Sequence, residues 1–409
     1  KLFKPKTSGP PRAGRSILMS TPPPPKRQWS WRSQAFRGLV YQILAIVGLT
    51  IAVGYLMSNT FANMRARGIQ SGFDFFLQPA GFGIGESLIE FDSSQNYIVA
   101  YLVGLSNTLR VALVGLVLAT ILGTMIGIGR LTQNTLVKTL CASFVEITRN
   151  IPLLLQLFMW YFAMTELLPP IEEPLKPLAG VFFSKNGLQY PLPVWAPGHW
   201  GTLIGLCVGI GAWKFWSRHV KQQFEATGQV KASFLPGLGL FIVCGFIGWL
   251  AGGVPSELDI PEITEISVVG GGSVTPEYLT LLVGLTVYTS GYIAEVVRAG
   301  IQSVSFGQHE AAVALGLKRT QELRLIQLPQ AMRVIIPPLT SQYLNLIKNS
   351  SLAVAVGYPD LVSISSTALN QTGRAIECIA LVMLIYLSLS LITSAIMNIF
   401  NRRMRIKDR

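Results

Sequence analysis

The stretch LSNTLRVALVGLVLATILGTMIGIG, residues 105–129, is a long run of mostly apolar side chains. Lipid cannot satisfy backbone N–H and C=O groups, so a segment that crosses a bilayer must be a helix or part of a closed barrel. The apolar residues of this run are continuous and do not alternate with polar ones, which favours a helix over a barrel strand.

The rest of the chain has the same character. Of its 409 residues, 50% are hydrophobic and 13% are charged, and the mean hydropathy is +0.46. A soluble domain carries about 25% charged residues. The composition therefore predicts an all-α, polytopic membrane protein.

Eight segments are apolar enough to be predicted as transmembrane helices, since a helix needs about 20 apolar residues to cross the bilayer core. They are roughly 38–57, 105–129, 152–168, 200–216, 233–252, 278–300, 340–356 and 375–400.

The spans and the segments between them suggest a division of the chain into five parts. Residues 1–37 are a basic, Pro-rich tail, which we expect to be disordered because it cannot bury a core. The other four are an extra first helix with the segment after it (38–100), a transmembrane core (101–164 and 278–401), an inserted segment with a helical hairpin (165–277) and a basic tail (402–409).

Charge asymmetry predicts the orientation. Cytoplasmic loops carry an excess of Lys and Arg. The tail before the first span is basic and has no acid, and the C-terminal tail is also basic, whereas segment 253–277 holds five acids and no base. We therefore expect both termini in the cytoplasm. Most of the +13 net charge then faces anionic membrane lipid. Because topology disperses the basic residues, a nucleic-acid partner is a poor second explanation.

Residues of the kinds used in catalysis and metal binding are scattered. Cys141, Cys207, Cys244 and Cys378 have no metal-ligand spacing, and the three histidines are equally dispersed. We expect neither a metal site nor a catalytic set, and hence no enzyme.

The predicted inside loop from Arg298 to about Thr340 contains an ordered pattern. It reads Glu310-Ala311-Ala312-Val313-Ala314-Leu315-Gly316 and, after nine further residues, Ile326-Gln327-Leu328-Pro329. The first part favours a helix that Gly316 ends. Thr320 is expected to cap a second short helix that Pro329 breaks, and Pro337-Pro338 are expected to mark the return to the membrane.

This spacing resembles the EAA loop of bacterial ABC importer permeases, which holds the coupling helix that docks on the ATPase subunit. The matching positions are Glu310, Ala311, Ala312, Gly316, Ile326, Leu328 and Pro329. The resemblance implies a type I ABC importer permease core.

Further motifs resemble the polar amino acid importers. They are Asn107-Thr108-Leu109, the run from Arg149 to Phe158, Tyr292 to Arg298, Gly300 to Val304 and Lys348 to Leu352. The long N-terminus and the inserted hairpin are similar to the Q permease of the general L-amino acid importers, which also handle glutamate, glutamine, aspartate and asparagine.

The resemblance also implies the partners. They are a second permease that pairs with this chain as a heterodimer, a homodimer of an ATPase subunit, a periplasmic amino acid-binding protein and the amino acid substrate. No Gly-x-x-x-x-Gly-Lys-Ser/Thr motif occurs in the chain. We therefore expect no cofactor here, with ATP and Mg²⁺ bound by the partner ATPase.

Polar and ionisable residues in or beside the spans are candidates for a substrate path or gate, because such groups are costly in lipid. They are Arg149, Gln156, Tyr288, Ser290, Tyr292, Glu295, Asn345 and Lys348. A structural charge cluster at the inner gate, with Glu295 paired to Arg298, explains the ionisable ones equally well.

Two other classes of protein compete with an ATP-driven permease. A secondary transporter driven by an ion gradient predicts inverted repeats, and the sequence has no evident internal repeat. A channel or scaffold subunit predicts a polar pore without a coupling loop. Neither alternative explains the spacing between Glu310 and Pro329.

Overall fold

The computed structural model describes residues 31, 33–68, 71–228, 232–264 and 268–404. The chain divides into two units, residues 1–70 and 71–409. Most of the predicted tail 1–37, and most of the tail 402–409, lie outside the described residues. The division into five predicted parts therefore stays a prediction.

The first unit contains one long helix, α1 (Gln34–Ala66). Its side chains are apolar on all sides and exposed along most of its length. A helix that is hydrophobic all round belongs in a membrane or a large core. From Phe36 to Ala66 it is long and apolar enough to span a bilayer.

The second unit is mainly helical. Its helices are α2 (Tyr97–Gly129), α3 (Thr135–Asn150), α4 (Leu153–Phe162), α5 (His199–Thr227), α6 (Phe234–Ala251), α7 (Pro276–Gln302), α8 (Phe306–Ala314), α9 (Arg319–Glu322), α10 (Leu328–Asn349), α11 (Leu361–Thr372) and α12 (Ala375–Met404). Short turns add to them: 3₁₀ turns at Asp74–Leu77 and Ser350–Val356, and π-helical turns at Ala163–Leu167 and Leu323–Gln327.

Helix α7 is the centre of this unit and packs against α2, α3, α4 and α10. Its contact with α2 is close because α2 carries small residues there. A Cβ on Gly123 would lie 2.7 Å from Cβ of Ile293 and 2.8 Å from the carbonyl oxygen of Ser290. Small residues let membrane helices approach closely, so Gly123 sets the spacing of these two helices.

The inserted segment contains strands that the all-α prediction did not include. They are β1 (Leu175–Leu178), β2 (Val181–Ser184), β3 (Gly187–Tyr190), β4 (Leu192–Pro193), β5 (Leu258–Asp259), β6 (Glu262–Ile263), β7 (Val268–Val269) and β8 (Gly272–Val274). The antiparallel order β1-β2-β3-β8 and the pair β4-β5 join strands before the α5–α6 hairpin to strands after it. The pairing closes the base of the insertion beside the start of α7.

The predicted count of eight spans is not confirmed. Five described helices are long and apolar enough to cross a membrane, and a sixth span results if the pair Arg319–Val356 and Leu361–Thr372, bent by 52°, counts as one. The predicted span 152–168 is shorter, at Leu153–Leu167. The predicted span 200–216 lies within the longer and partly polar α5.

Two local predictions around the loop were wrong, and a third stays a prediction. Pro337 and Pro338 lie inside α10, and their role as the point of return to the membrane stays a prediction. Pro329 does not break the helical run, since α9 continues through the π-helical turn into α10 and Pro329 stands in the first turn of α10. Lys318, not Thr320, is the N-cap residue of α9.

Candidate functional site

The coupling segment, residues 305–329, connects α7 to α10 through α8, α9 and one π-helical turn. Helix α8 ends as predicted, because Gly316 has a φ of +68°. The N–H of Gly316 donates to the carbonyl of Val313 at 2.9 Å, and the N–H of Leu317 donates to the carbonyl of Ala312 at 3.1 Å. These two bonds form a Schellman motif, which satisfies the last carbonyls of the helix.

A buried carboxylate joins the two short helices. The Glu322 side chain is 2% exposed. Its Oε1 accepts from Nη1 of Arg319 at 2.7 Å and from Nε2 of Gln327 at 2.6 Å. Nδ1 of His309 lies 2.8 Å from the same oxygen. A buried charge is retained only when it is paired and hydrogen-bonded, so this cluster fixes the angle between α8 and α9.

The seven residues predicted for ATPase coupling all lie in this segment, with different exposures. Ala312 is fully buried, and Ile326 and Pro329 are half-buried. The others are exposed, namely Glu310, Ala311, Gly316 and Leu328. Their role in coupling stays a prediction.

The coupling segment also exposes large apolar side chains. Phe306 is 71% exposed and Leu315 is 76% exposed, with Val313 and Leu325 also open. Clustered apolar surface on a protein often marks a site of protein association. The segment therefore combines an internally fixed shape with an apolar outer face.

Glu295, one of the predicted path residues, is held by two arginines. Its carboxylate is ion-paired with Arg298 one turn further along α7, as the sequence indicated, and with Arg130 at the end of α2. Nη1 of Arg298 also donates to Oε1 of Gln302 at 2.5 Å. Both carboxylate oxygens have partners within the chain, which favours the structural interpretation of this cluster.

Tyr288, Tyr292 and Arg149 form a second group. The two tyrosine hydroxyl oxygens lie 3.2 Å apart, and their ring centroids are 5.0 Å apart. The guanidinium carbon of Arg149 lies 5.3 Å from the centroid of the Tyr292 ring. The cluster offers two half-buried hydroxyls and a cation over an aromatic face, a set suited to a carboxylate and an ammonium group.

The remaining predicted path residues are not brought into one site. Nε2 of Gln156 donates to the carbonyls of Thr148 and Ile151 at 2.8 and 2.9 Å, which fixes the break between α3 and α4. The hydroxyl of Ser290 donates to the carbonyl of Val287 in its own helix. Asn345 and Lys348 are exposed on α10. A substrate role for these four residues stays a prediction.

A polar cluster that the sequence did not predict lies where α2, α7 and the segment before α2 meet. Oε1 of Glu86 accepts from Nη1 of Arg110 at 2.5 Å, and Oε2 accepts from the hydroxyl of Thr275, the N-cap residue of α7. The guanidinium of Arg110 lies 4.2 Å from the centroid of the Tyr278 ring. The sequence held only a weak signal for this pair. Glu86 lies shortly before α2, and Arg110 is a basic residue within that apolar helix.

Comparisons with known proteins agree with this architecture. The family model described as "Binding-protein-dependent transport system inner membrane component" matches residues 233–406. "General L-amino acid transport system permease protein AapQ" of Rhizobium johnstonii is 43% identical over 385 residues, which cover 93% of this chain and 96% of that protein.

Two further relatives match over most of their length. "Putative amino-acid ABC transporter permease protein YhdX" of Escherichia coli is 43% identical over 385 residues, covering 94% of this chain and 98% of that protein. "Glutamate/glutamine/aspartate/asparagine transport system permease protein BztB" of Rhodobacter capsulatus is 37% identical over 406 residues, covering 91% and 95%.

The chain therefore belongs to the inner membrane components of binding-protein-dependent transport systems. It is a multi-pass permease subunit of the ABC type, and ATP hydrolysis in such a system is performed by a separate subunit.

Proposed function

We propose that the chain, paired with a second permease, forms the path by which polar L-amino acids cross the inner membrane. In this proposal a periplasmic binding protein delivers the substrate, and a homodimer of ATPase subunits binds ATP and Mg²⁺ on the cytoplasmic side. Both termini lie in the cytoplasm. The names of the relatives, which refer to amino acids in general and to glutamate, glutamine, aspartate and asparagine, support this substrate class.

The geometry of the coupling segment is the observation that carries the proposal. Its two short helices are fixed to each other through Glu322, and α8 ends in the tight turn at Gly316. A segment with a fixed internal shape can transmit a displacement, whereas a floppy loop absorbs it. Closure of the ATPase pair pushes α8, and the movement passes through α9 into α10, which packs against the central α7.

Substitution of Gly316 tests the coupling step. A Cβ at this position meets nothing within 4 Å, so a substitution acts only through the backbone conformation. Asn tolerates a positive φ far better than Val. We expect Gly316→Val to lower uptake driven by ATP in liposomes that contain the complete complex, while Gly316→Asn retains most of it.

Assembly of the complex with the ATPase is measured in parallel by size-exclusion chromatography. Full uptake by an assembled Gly316→Val complex would show that the shape of the segment is irrelevant to coupling. If uptake persists when the ATPase subunit is omitted, the whole proposal fails and an ion-driven transporter replaces it.

A further inference from the structure

A groove lies between the inserted hairpin and the coupling segment. One wall is the last three turns of α5, with Ser217, Lys221 and Phe224, and the other carries Thr320, Arg324 and Leu325. The cavity between these walls has a volume of about 500 Å³. The groove therefore separates the α5–α6 hairpin, whose role is unassigned, from the coupling segment, which we propose is moved by the ATPase.

The length of α5 places this groove at the membrane surface. The helix has 29 residues, which corresponds to about 44 Å at 1.5 Å per residue. The hydrocarbon core is about 30 Å thick, so one end must project from it. The sequence is largely apolar up to Trp216, and Arg218, His219 and Lys221 follow directly. Tryptophan is enriched at the interface, so the projecting end begins at headgroup level.

The groove combines charges and apolar surface in the manner of a lipid headgroup site. Lys221 and Arg324 supply one cation from each wall, and Ser217, Ser233 and Thr320 supply hydroxyl groups. Val220, Phe224 and Leu325 add apolar surface, and the described residues that line the groove include no acid. Basic pockets beside membrane helices on the cytoplasmic side are suited to anionic lipid headgroups.

Neither cation is strongly engaged elsewhere. Lys221 lies 3.9 Å from Glu225 on its own helix, with the two side chains 77% and 63% exposed, so this ion pair is weak. Within the ranges that the structure describes, the guanidinium of Arg324 is exposed and has no ion-pair partner. Both groups are therefore available to a bound phosphate.

The hairpin that forms one wall of the groove is tightly packed within itself. Helices α5 and α6 contact each other through glycines. A Cβ on Gly205 would lie 2.4 Å from the carbonyl oxygen of Cys244, and one on Gly248 would lie 2.3 Å from that of Gly201. These contacts hold α5 and α6 together as one unit, which borders the groove.

We infer that the headgroup of an anionic phospholipid occupies this groove and connects the inserted hairpin to the coupling segment. The phosphate lies between Lys221 and Arg324, and an acyl chain follows the apolar side chains of Phe224 and Leu325. Because the groove is at the inner leaflet only if the coupling segment is cytoplasmic, the inference rests on the proposed topology. The ligand class and the site go beyond amino acid transport itself.

Photoactivatable phosphatidylglycerol in phosphatidylcholine nanodiscs provides the test, with the complete complex and with labelled peptides identified by mass spectrometry. We expect labelling of the peptides around 217–225 and 318–326. Lys221→Gln and Arg324→Gln should each lower this labelling about fivefold, the factor for about 1 kcal/mol per basic residue near an anionic surface. Arg218→Gln is the matched control, since Arg218 is an exposed cation of the same helix outside the groove lining.

The conservative variants Lys221→Arg and Arg324→Lys keep the charge and should keep the labelling, which separates a charge effect from misfolding. Equal loss in Arg218→Gln would reduce the effect to general surface attraction and overturn the inference. Competition by millimolar inorganic phosphate would identify a free anion in place of a lipid. If Lys221→Gln or Arg324→Gln releases the ATPase from the complex and leaves the lipid labelling unchanged, the groove is a contact with protein, and the inference fails.

Discussion

Nδ1 of His309 lies 2.8 Å from Oε1 of Glu322, so the two short helices of the coupling segment share one buried carboxylate. Arg319 and Gln327 donate to the same oxygen. Because three partners meet on one oxygen, the carboxylate of Glu322 fixes the internal shape of the segment. Glu310 of the EAA motif is exposed and does not have this role.

The first prediction concerns this carboxylate. Glu322→Gln removes the charge that pairs with Arg319 and places an amide in a site built for an acceptor. We expect α8 and α9 to become mobile relative to each other, so the amount of substrate transported per ATP hydrolysed falls severalfold while the complex still assembles. The ratio is measured in liposomes with the binding protein present.

Glu172→Gln, a change at an exposed acid of the insertion, should leave that ratio unchanged. An unaltered ratio in Glu322→Gln would show that the His309–Glu322 contact does not contribute to coupling.

The second prediction concerns stability. Side chains of Glu86 and Arg110 are 8% and 16% exposed, and their pair joins the segment before α2 to α2 and to the start of α7. Breaking a buried pair by removing one partner costs about 3–5 kcal/mol. We expect Arg110→Gln to lower the thermal midpoint of the solubilised complex markedly, and the double change with Glu86→Gln to cost less than the sum of the single changes.

Lys185→Gln provides the comparison, because Lys185 and Glu166 lie 3.7 Å apart with side chains 39% and 58% exposed. An exposed pair contributes about 0–1 kcal/mol, so the midpoint should hardly move. If Lys185→Gln and Arg110→Gln lower the thermal midpoint by the same amount, a structural role for the buried pair is contradicted.

The third prediction separates the two interpretations of the path residues. Glu295 already has both oxygens paired with Arg130 and Arg298, so we expect Glu295→Gln to lower the maximal uptake rate and leave KM unchanged. Tyr288 and Tyr292 are half-buried and have only each other as hydroxyl partners among the described side chains, so we expect Tyr288→Ala to raise KM severalfold.

Tyr288→Phe is the matched variant, since it keeps the ring and removes only the hydroxyl. A raised KM in Glu295→Gln with no change in Tyr288→Ala would reverse the assignment. If neither variant alters uptake or affinity, both residues leave the list of path candidates.

The features that the sequence predicted correctly depend on neighbours in the chain. Gly316 was expected to end a helix, and its φ of +68° confirms it. Glu295 and Arg298, three residues apart, form the ion pair that a helix surface favours. A hairpin signal was also present but not used: Lys185 and Asn186 form a two-residue turn between Ser184 and its strand partner Gly187, and Gly187 has a φ of +98° that favours glycine.

The missed features depend on partners distant in sequence. Arg130 is 165 residues from Glu295, and Glu86 is 24 residues from Arg110. No local pattern specifies which acid meets which base across packed helices. Pro329 was expected to break a helix, but the chain passes from a π-helical turn into α10 at this point, an irregular turn that no local pattern specifies.

The last prediction concerns the inserted hairpin. Alanine normally stabilises a helix relative to glycine by about 1 kcal/mol. At Gly205 the added methyl group would lie 2.4 Å from the carbonyl oxygen of Cys244, and backbone on both sides prevents a small adjustment. Gly211, two turns away on the same helix, has nothing within 4 Å of an added Cβ. The same chemical change therefore has opposite expected signs.

We expect Gly205→Ala to separate α5 from α6, at the cost of about 1–3 kcal/mol that overpacking entails, and to increase the rate at which a maleimide modifies Cys244 in a variant that lacks the other three cysteines. Gly211→Ala should leave that rate unchanged and leave the thermal midpoint equal or slightly higher. If the two variants have the same midpoint and the same rate, the hairpin is not held together by its glycine contacts.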